Sequence, residues 1–165
     1  MDQIGAAAGI SGPGVYRHFL TKQSLLVAIF DQVITSLQKI ADQIVAESAT
    51  PEEALRRLVV HHVDFAVDDR AVMSVYLREE RSLAEMERRR IHRAQRAYIA
   101  HWREQVQLLH PGLPASMTLS VVQAAIAMVG SVAFYEPKVP TAELRKMLRI
   151  NAIRLLIDPA PSGLA

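Results

Sequence analysis

Hydrophobic side chains recur every three or four residues along most of the chain, a spacing typical of helices with one buried face. Neither a run of alternating polar and apolar residues nor an Asn-Gly hairpin signal occurs, so strands are not predicted. We therefore expect an all-α protein. The predicted helices cover about residues 21–46, 51–68, 71–80, 82–109, 115–135 and 141–157.

Capping residues mark where these helices begin. Thr50 is followed by Pro51 and then by Glu53, which together form the capping-box pattern of a helix start. Ser82 and Glu85 repeat the spacing, so a second capping box is expected there. Single N-caps are predicted at Thr21 and Thr141.

The predicted helix 115–135 contains no charged residue, so we expect burial on both of its sides. An uncharged run of this length is also compatible with a membrane span. Five polar side chains dilute its hydrophobicity, and no aromatic or basic anchors flank it symmetrically, so no membrane segment is expected. The polar residues are Ser116, Thr118, Ser120, Gln123 and Ser131.

The last predicted helix, 141–157, has two apolar faces. One face suits the core of the subunit, and the other needs a partner. A second copy of the chain would bury this face together with 115–135 in a four-helix homodimer interface. The alternative is a helix wedged between other helices of the same subunit. The faces consist of Leu144, Met147, Leu148, Ala152 and Leu155, and of Ile150, Ile153 and Ile157.

Composition adds limits to this picture. The chain has 165 residues, half of them hydrophobic, which is enough for a sizeable core. Its net charge of +2 does not by itself indicate nucleic acid, and the absence of cysteine suits a reducing cytoplasm. Adjacent His61 and His62 lie on different helix faces, so no metal site and no cofactor are expected. No spacing of nucleophile and base indicates an enzyme.

Residues 4–22 carry the most specific pattern in the chain. Gly9 can end a short helix, Ser11 can cap the next one, and Pro13 suits its first turn. Val15 and Phe19 lie one turn apart and are expected to pack inward. The stretch predicts the second half of a helix-turn-helix whose outer side enters the major groove of DNA.

This segment resembles the TetR family of one-component transcriptional regulators. The resemblance rests on Ile4 with Ala8-Gly9-Ile10-Ser11, on Val15-Tyr16 with His18-Phe19, and on Lys22 with Leu25-Leu26. It implies a cytoplasmic, ligand-responsive repressor that binds palindromic double-stranded DNA as a homodimer. It also implies a partial helix-turn-helix DNA-binding domain with its connector helix at 1–45, and a helical ligand-binding and dimerisation domain at 46–165.

The DNA-contacting residues are predicted from their chemistry and from matching to the family pattern. Arg17 can hold a guanine edge with two hydrogen bonds, and Lys22 is a point charge for phosphate. Tyr16 and His18 are donors to the phosphate backbone, unless they pack within the hairpin. Helix-terminal amides next to Ser11 favour phosphate as well. The full set is Ser11, Gly12, Pro13, Gly14, Tyr16, Arg17, His18 and Lys22.

The ligand-contacting residues are predicted on the helical bundle. Tyr76 begins a segment, reaching to Trp102, that loosely resembles TetR regulators of lipid and acyl-coenzyme A metabolism, which implies a fatty acid or acyl-coenzyme A effector. The arginine-rich stretch 88–103 is either a solvated face or a place where Arg88 receives an anionic head group. Polar and aromatic ligand contacts are expected at His62, Tyr76, Arg88, Tyr98, Trp102 and Gln123. Further apolar candidates, equally compatible with a plain core, are Phe65, Met73, Met86, Met117, Met128 and Phe134.

The first helix of the family has no counterpart before Ile4 in this sequence. We therefore expect either that Met1 is an internal position of a longer natural protein, or an unusual start. The alternative function is a truncated, dimeric ligand-binding protein that no longer binds DNA.

Overall fold

The computed structural model describes residues 21–159, and this part of the chain contains six α helices and no strand. The predictions for residues 1–20, including the helix-turn-helix, lie outside the described residues. The all-α prediction is confirmed. The helices are α1 Lys22–Glu47, α2 Pro51–Asp68, α3 Arg70–Glu79, α4 Glu85–Leu109, α5 Ala115–Gly130 and α6 Thr141–Ile157, with short 3-10 turns at Glu80–Ser82 and Ser131–Phe134.

Two of the predicted helix starts have the expected hydrogen bonds. Thr21 accepts a bond from the Ser24 amide at 3.0 Å, while the Ser24 hydroxyl lies 3.2 Å from the Thr21 amide. Thr50 accepts from the Glu53 amide at 3.1 Å, although the Glu53 carboxylate accepts from the amide of Ala49 rather than from that of Thr50. These bonds satisfy amides that a helix start otherwise leaves free.

The other two predicted caps are wrong. Ser82 lies in the 3-10 turn and donates to the Glu79 carbonyl at 2.7 Å, so it cannot cap α4, whose N-cap is Ala84. Thr141 is the first helical residue of α6, and its N-cap is Pro140. The 3-10 turn at Glu80–Ser82 delays the start of α4 by two residues, whereas α6 begins one residue earlier than a Thr141 cap predicts.

The core forms around α2, which packs on α4 and α6, while α1 lies along α4 and α5 pairs with α6. Trp102 of α4, fully enclosed, is the largest side chain in this core. An ion-pair cluster adds a polar link between α2 and α6: Arg145 donates to Asp64 at 2.7 Å and also contacts Asp68. This arrangement fixes α2 in the centre of the bundle.

A second, smaller cluster lies beside the main core. It contains the buried side chains of Leu26 and Phe30 from α1, Leu83, and Ile91 from α4. Tyr76 of α3 packs against it. We call these four buried residues the N-terminal cluster, because they hold the first half of α1.

By length and hydropathy alone, Lys22–Glu47 and Ala115–Phe134 are each long and apolar enough to cross a membrane. Both pack against neighbouring helices of the bundle with one face. One side of the predicted helix 115–135 is buried within the subunit, while Met117 and Leu119 are 49% and 38% exposed and are available to a partner copy. The α-helical part ends at Gly130, and a 3-10 helix continues to Phe134.

Candidate functional site

A cavity of about 270 Å³ opens between α1, α2, α3, α4 and α5. Its wall is mostly hydrophobic, and this chemistry is typical of sites for small organic ligands. The volume lies near the lower end of the usual range for such sites. The lining residues are Val33, Ile34, Leu37, His62, Phe65, Met73, Tyr76, Leu77, Gln95, Tyr98, Ile99, Gln123, Ile126, Ala127, Gly130 and Phe134.

His62 is a deeply buried polar residue of this wall, with 4% of its surface exposed. Its Nδ1 lies 3.1 Å from the hydroxyl of Tyr98, and the ring of Trp102 meets the imidazole edge-on at 5.7 Å between centroids. Burial, and secondarily the charge of His61, lowers the pKa of His62 to about 4. Burial also raises the pKa of the Tyr98 hydroxyl. Both side chains are therefore uncharged at neutral pH.

Two buried polar atoms of the wall lack a hydrogen-bond partner within the described range 21–159: Nε2 of His62 and the hydroxyl of Tyr76. Buried polar groups are nearly always paired, so these two atoms of wall residues are groups that a ligand atom or a water molecule could satisfy. Burial, with a smaller effect of the Glu80 carboxylate, raises the pKa of Tyr76. Its hydroxyl therefore keeps its proton and can donate.

Tyr76 also connects the cavity to α1. Its ring makes an edge-on contact with Phe30, with 4.9 Å between the ring centroids. Phe30 is completely buried in the N-terminal cluster. Because interiors are close-packed, a displacement of the Tyr76 ring by a ligand has to be accommodated by Phe30.

Four of the six predicted ligand residues line this cavity: His62, Tyr76, Tyr98 and Gln123. Trp102 lies behind the wall, in contact with His62, and Arg88 is not among the lining residues. The polar lining residue that the sequence interpretation missed is Gln95, which falls within the arginine-rich stretch of α4. Its position one turn before Ile99 was the available signal.

The further apolar candidates divide in the same way. Phe65, Met73 and Phe134 line the cavity, whereas Met128 packs against the main core. Met86 and Met117 are exposed, at 78% and 49%, because they lie on the outer sides of α4 and α5. Flexible apolar side chains therefore contribute less to the wall than the composition suggested.

The arginine-rich stretch is partly neutralised by acids. Arg89 pairs with Glu85, and Arg90 bonds to Asp31 of α1 at 2.6 Å. Burial plays little part here, since the Arg90 pKa is raised chiefly by its hydrogen bond to Asp31. These contacts agree with a solvated, ion-paired face, and they tie α4 to α1.

At the start of α1, Lys22 is the one predicted DNA contact within the described residues. Its Nζ lies 2.8 Å from the carboxylate of Glu79, at the end of α3. The neighbouring Gln23 donates to the carbonyl of Ser82 at 3.1 Å. The first turn of α1 is thus held by the end of α3, which also lines the cavity. The remaining predicted contacts, Ser11, Gly12, Pro13, Gly14, Tyr16, Arg17 and His18, lie outside the described residues.

An exposed apolar surface extends over α5 and α6. Met147 and Ile150 of α6 are 46% and 39% exposed, and on α5 the exposed Met117 and Leu119 flank the buried Thr118 on its two sides. Of the two predicted apolar faces, the one with Leu144, Leu148 and Ala152 fills the core together with Leu156, whereas Met147, predicted on the same face, is exposed. We call these four exposed residues the outer apolar surface. Surfaces of this kind are typical of protein–protein contacts.

Within residues 21–159, no group of three or more His, Cys, Asp or Glu side chains is arranged to hold a metal ion.

Comparison with known proteins places these features in a family. A family model described as "Tetracyclin repressor-like, C-terminal domain" matches residues 48–132, about half of the chain. A second, described as "Bacterial regulatory proteins, tetR family", matches residues 1–29. Comparison with curated protein sequences gives no match.

Several solved structures share the fold. A TetR-family transcriptional regulator from Bordetella parapertussis 12822 is 20% identical, with a TM-score of 0.76 over 97% of this chain and 85% of its own. PfmR from Thermus thermophilus, also 20% identical, has a TM-score of 0.75 over 98% and 87%. AibR, solved in complex with isovaleryl coenzyme A and operator DNA, is 18% identical, with a TM-score of 0.73 over 94% and 85%.

These relatives are transcriptional regulators rather than enzymes. The helical bundle and the two family matches lead to one conclusion. The chain belongs to the TetR family of bacterial transcriptional regulators.

Proposed function

We propose that this protein is a ligand-responsive, DNA-binding repressor that takes a small apolar or amphipathic effector in the cavity between α1 and α5. The observation that carries the proposal is the pair of orphaned polar atoms on a mostly apolar wall, the His62 Nε2 and the Tyr76 hydroxyl. An effector that fills the cavity would satisfy both atoms and cover hydrophobic surface.

The division of the chain follows from the same proposal. Residues 1–45 would serve as the DNA-binding domain with its connector helix, and residues 46–165 as the effector-binding and dimerisation domain. The outer apolar surface supports a homodimer in which α5 and α6 pair with their copies about a twofold axis. A palindromic operator would match this symmetry.

The proposed coupling passes through α3. This helix contributes Met73, Tyr76 and Leu77 to the cavity wall, and it ends at Glu79, which holds Lys22. An effector that moves α3 would change both the Tyr76–Phe30 contact and the support of the first turn of α1. The effector regulates DNA binding only if its affinity for the protein differs between the two positions of α1.

Two observations indicate the chemical class of the effector. The apolar wall favours an acyl-like or similar hydrophobic body. AibR was solved with isovaleryl coenzyme A, which makes fatty acids and their coenzyme A esters reasonable first compounds to test. The cytoplasm, where DNA and metabolites meet, is the proposed location.

Binding of the full chain to DNA from its own promoter region tests the DNA-binding part of the proposal. Fluorescence anisotropy over a salt series should give a logarithmic slope of about −0.9 for each phosphate contact. Lys22→Ala should weaken binding to all sequences alike and lower the slope by about 1. As a matched control, Lys39→Ala changes an exposed lysine farther along α1 and should leave the slope unchanged.

Two results would contradict the proposal. Absence of salt-dependent DNA binding would favour the alternative, a dimeric ligand-binding protein without a DNA partner. Effector and operator that bind without influencing each other's affinity would refute the coupling through α3.

A further inference from the structure

We propose that the effector of this cavity is an uncharged molecule whose polar end, an amide or an alcohol, hydrogen-bonds to His62 Nε2 and to the Tyr76 hydroxyl. This inference rests on the proposed function and specifies the chemistry of the same cavity.

The first argument is the charge of the wall. None of the described residues that line the cavity is Asp, Glu, Lys or Arg. Among these described residues, His62 alone can carry a positive charge, and burial lowers its pKa to about 4, so it is neutral at pH 7. A carboxylate or phosphate inside this cavity would lose its hydration without gaining a counter-ion, which is strongly unfavourable.

The second argument is the hydrogen-bonding capacity of the two orphaned atoms. The Tyr76 hydroxyl keeps its proton and can donate as well as accept. When Tyr98 donates to Nδ1 of His62, Nε2 carries the ring proton and is a donor; in the other tautomer Nε2 is an acceptor. Neutral groups such as a primary amide both donate and accept, so they satisfy the site in either tautomer, whereas an ionised carboxylate can only accept.

The third argument concerns the neighbourhood of the site. Glu80 is close enough to raise the pKa of Tyr76, so its negative charge opposes an anion at this end of the cavity. Arg88 precedes Gln95 by two helical turns on the same face of α4, roughly 10 Å along the axis. His92, which lies between them on that face, pairs with Glu80. An anionic head group reaching from the cavity toward Arg88 would therefore pass a carboxylate.

Matched ligands test the inference directly. Octanamide and octanoate have the same heavy-atom skeleton and differ in charge, and octanoyl coenzyme A carries the same chain on a large anionic group. Calorimetric titration of the full chain at pH 7 should give a dissociation constant for octanamide at least about tenfold below those of the other two.

Variants assign the polar contact. Tyr76→Phe removes the orphaned hydroxyl but keeps the ring contact with Phe30. The dissociation constant for octanamide should rise about fivefold. Tyr135→Phe makes the same chemical change at an exposed tyrosine that does not line the cavity and should have no effect.

The inference is overturned if octanoate or octanoyl coenzyme A binds as tightly as octanamide, if Tyr76→Phe leaves octanamide binding unchanged, or if none of the three compounds binds. The salt-dependent DNA titration above does not involve these compounds. Failure of the uncharged-effector inference can therefore be distinguished from failure of the proposed regulatory function.

Discussion

Acidification should destabilise this protein through a single buried side chain, His62. In the unfolded chain the imidazole takes up a proton near its ordinary pKa of 6.5, whereas in the folded protein burial delays protonation until about pH 4. Below pH 6.5 the unfolded state therefore binds more protons, and stability falls as the pH falls. From these two values, the free energy of unfolding should drop by about 2 kcal/mol between about pH 7.5 and about pH 5.

The assay is urea unfolding at several pH values and fixed protein concentration, followed by circular dichroism. For a chain of this size, the same loss corresponds to a melting temperature lower by roughly 4–8 °C. In His62→Leu the difference between the two pH values should shrink by most of that amount, whatever the variant's absolute stability. His61→Gln is the matched control; its half-buried imidazole also has a lowered pKa, and most of the pH dependence should persist without it.

A pH dependence of equal size in wild type and His62→Leu would refute the reasoning. Carboxylates do not interfere with this comparison. Those with a lowered pKa, Asp68 and Glu79, lose their contribution to the free energy of unfolding at more acidic pH. They are also unchanged in the variant. The comparison thus isolates the titration of one imidazole.

Three further predictions concern other parts of the molecule. Ile150→Glu places a charge in the outer apolar surface and should convert the proposed dimer to a monomer in sedimentation velocity; an unchanged dimer would exclude this surface. Glu79→Gln frees Lys22 for phosphate and should tighten DNA binding in low-salt anisotropy titrations, and an unchanged dissociation constant would show that the ion pair does not compete. Gly130→Ala should raise the free energy of unfolding by about 0.5–1 kcal/mol in urea titrations, because the backbone is helical and a Cβ would meet Leu77 at an ordinary 3.9 Å; destabilisation would contradict this.

Periodicity was a good guide to the helices of this chain. The predicted ranges of α1, α2 and α6 end within a residue of the observed bounds, because apolar spacing and the Thr21 and Thr50 caps are local properties. The predicted cap at Ser82 was wrong because its hydroxyl donates to the preceding turn instead of accepting from the next helix. Sequence spacing does not show which of two neighbouring backbone segments a serine side chain will bond to.

The candidate site was predictable only in part. The inward positions of His62, Tyr98 and Gln123 follow from helix periodicity, but the empty space beside them depends on how five helices cross. Gln95 was overlooked because it lies among arginines in the sequence. Met86 was wrongly considered a ligand contact because apolar character does not show which side of a helix is covered. Cavities arise from imperfect packing between elements, and no single helix encodes this property.

The N-terminal cluster has a consequence for how α1 opens. Among the described residues, its first half packs into this small cluster through Leu26 and Phe30, with Leu25 also buried, whereas Ile34, Leu37, Ala41 and Ile44 anchor the second half in the much larger main core. Local unfolding costs least where buried contacts are few, so amide hydrogens near the start of α1 should exchange with solvent faster than those near its end. A bound molecule that rigidifies Tyr76 would then change how often the start of α1 unfolds locally. DNA binding would be regulated through the fraction of time for which this segment stays folded.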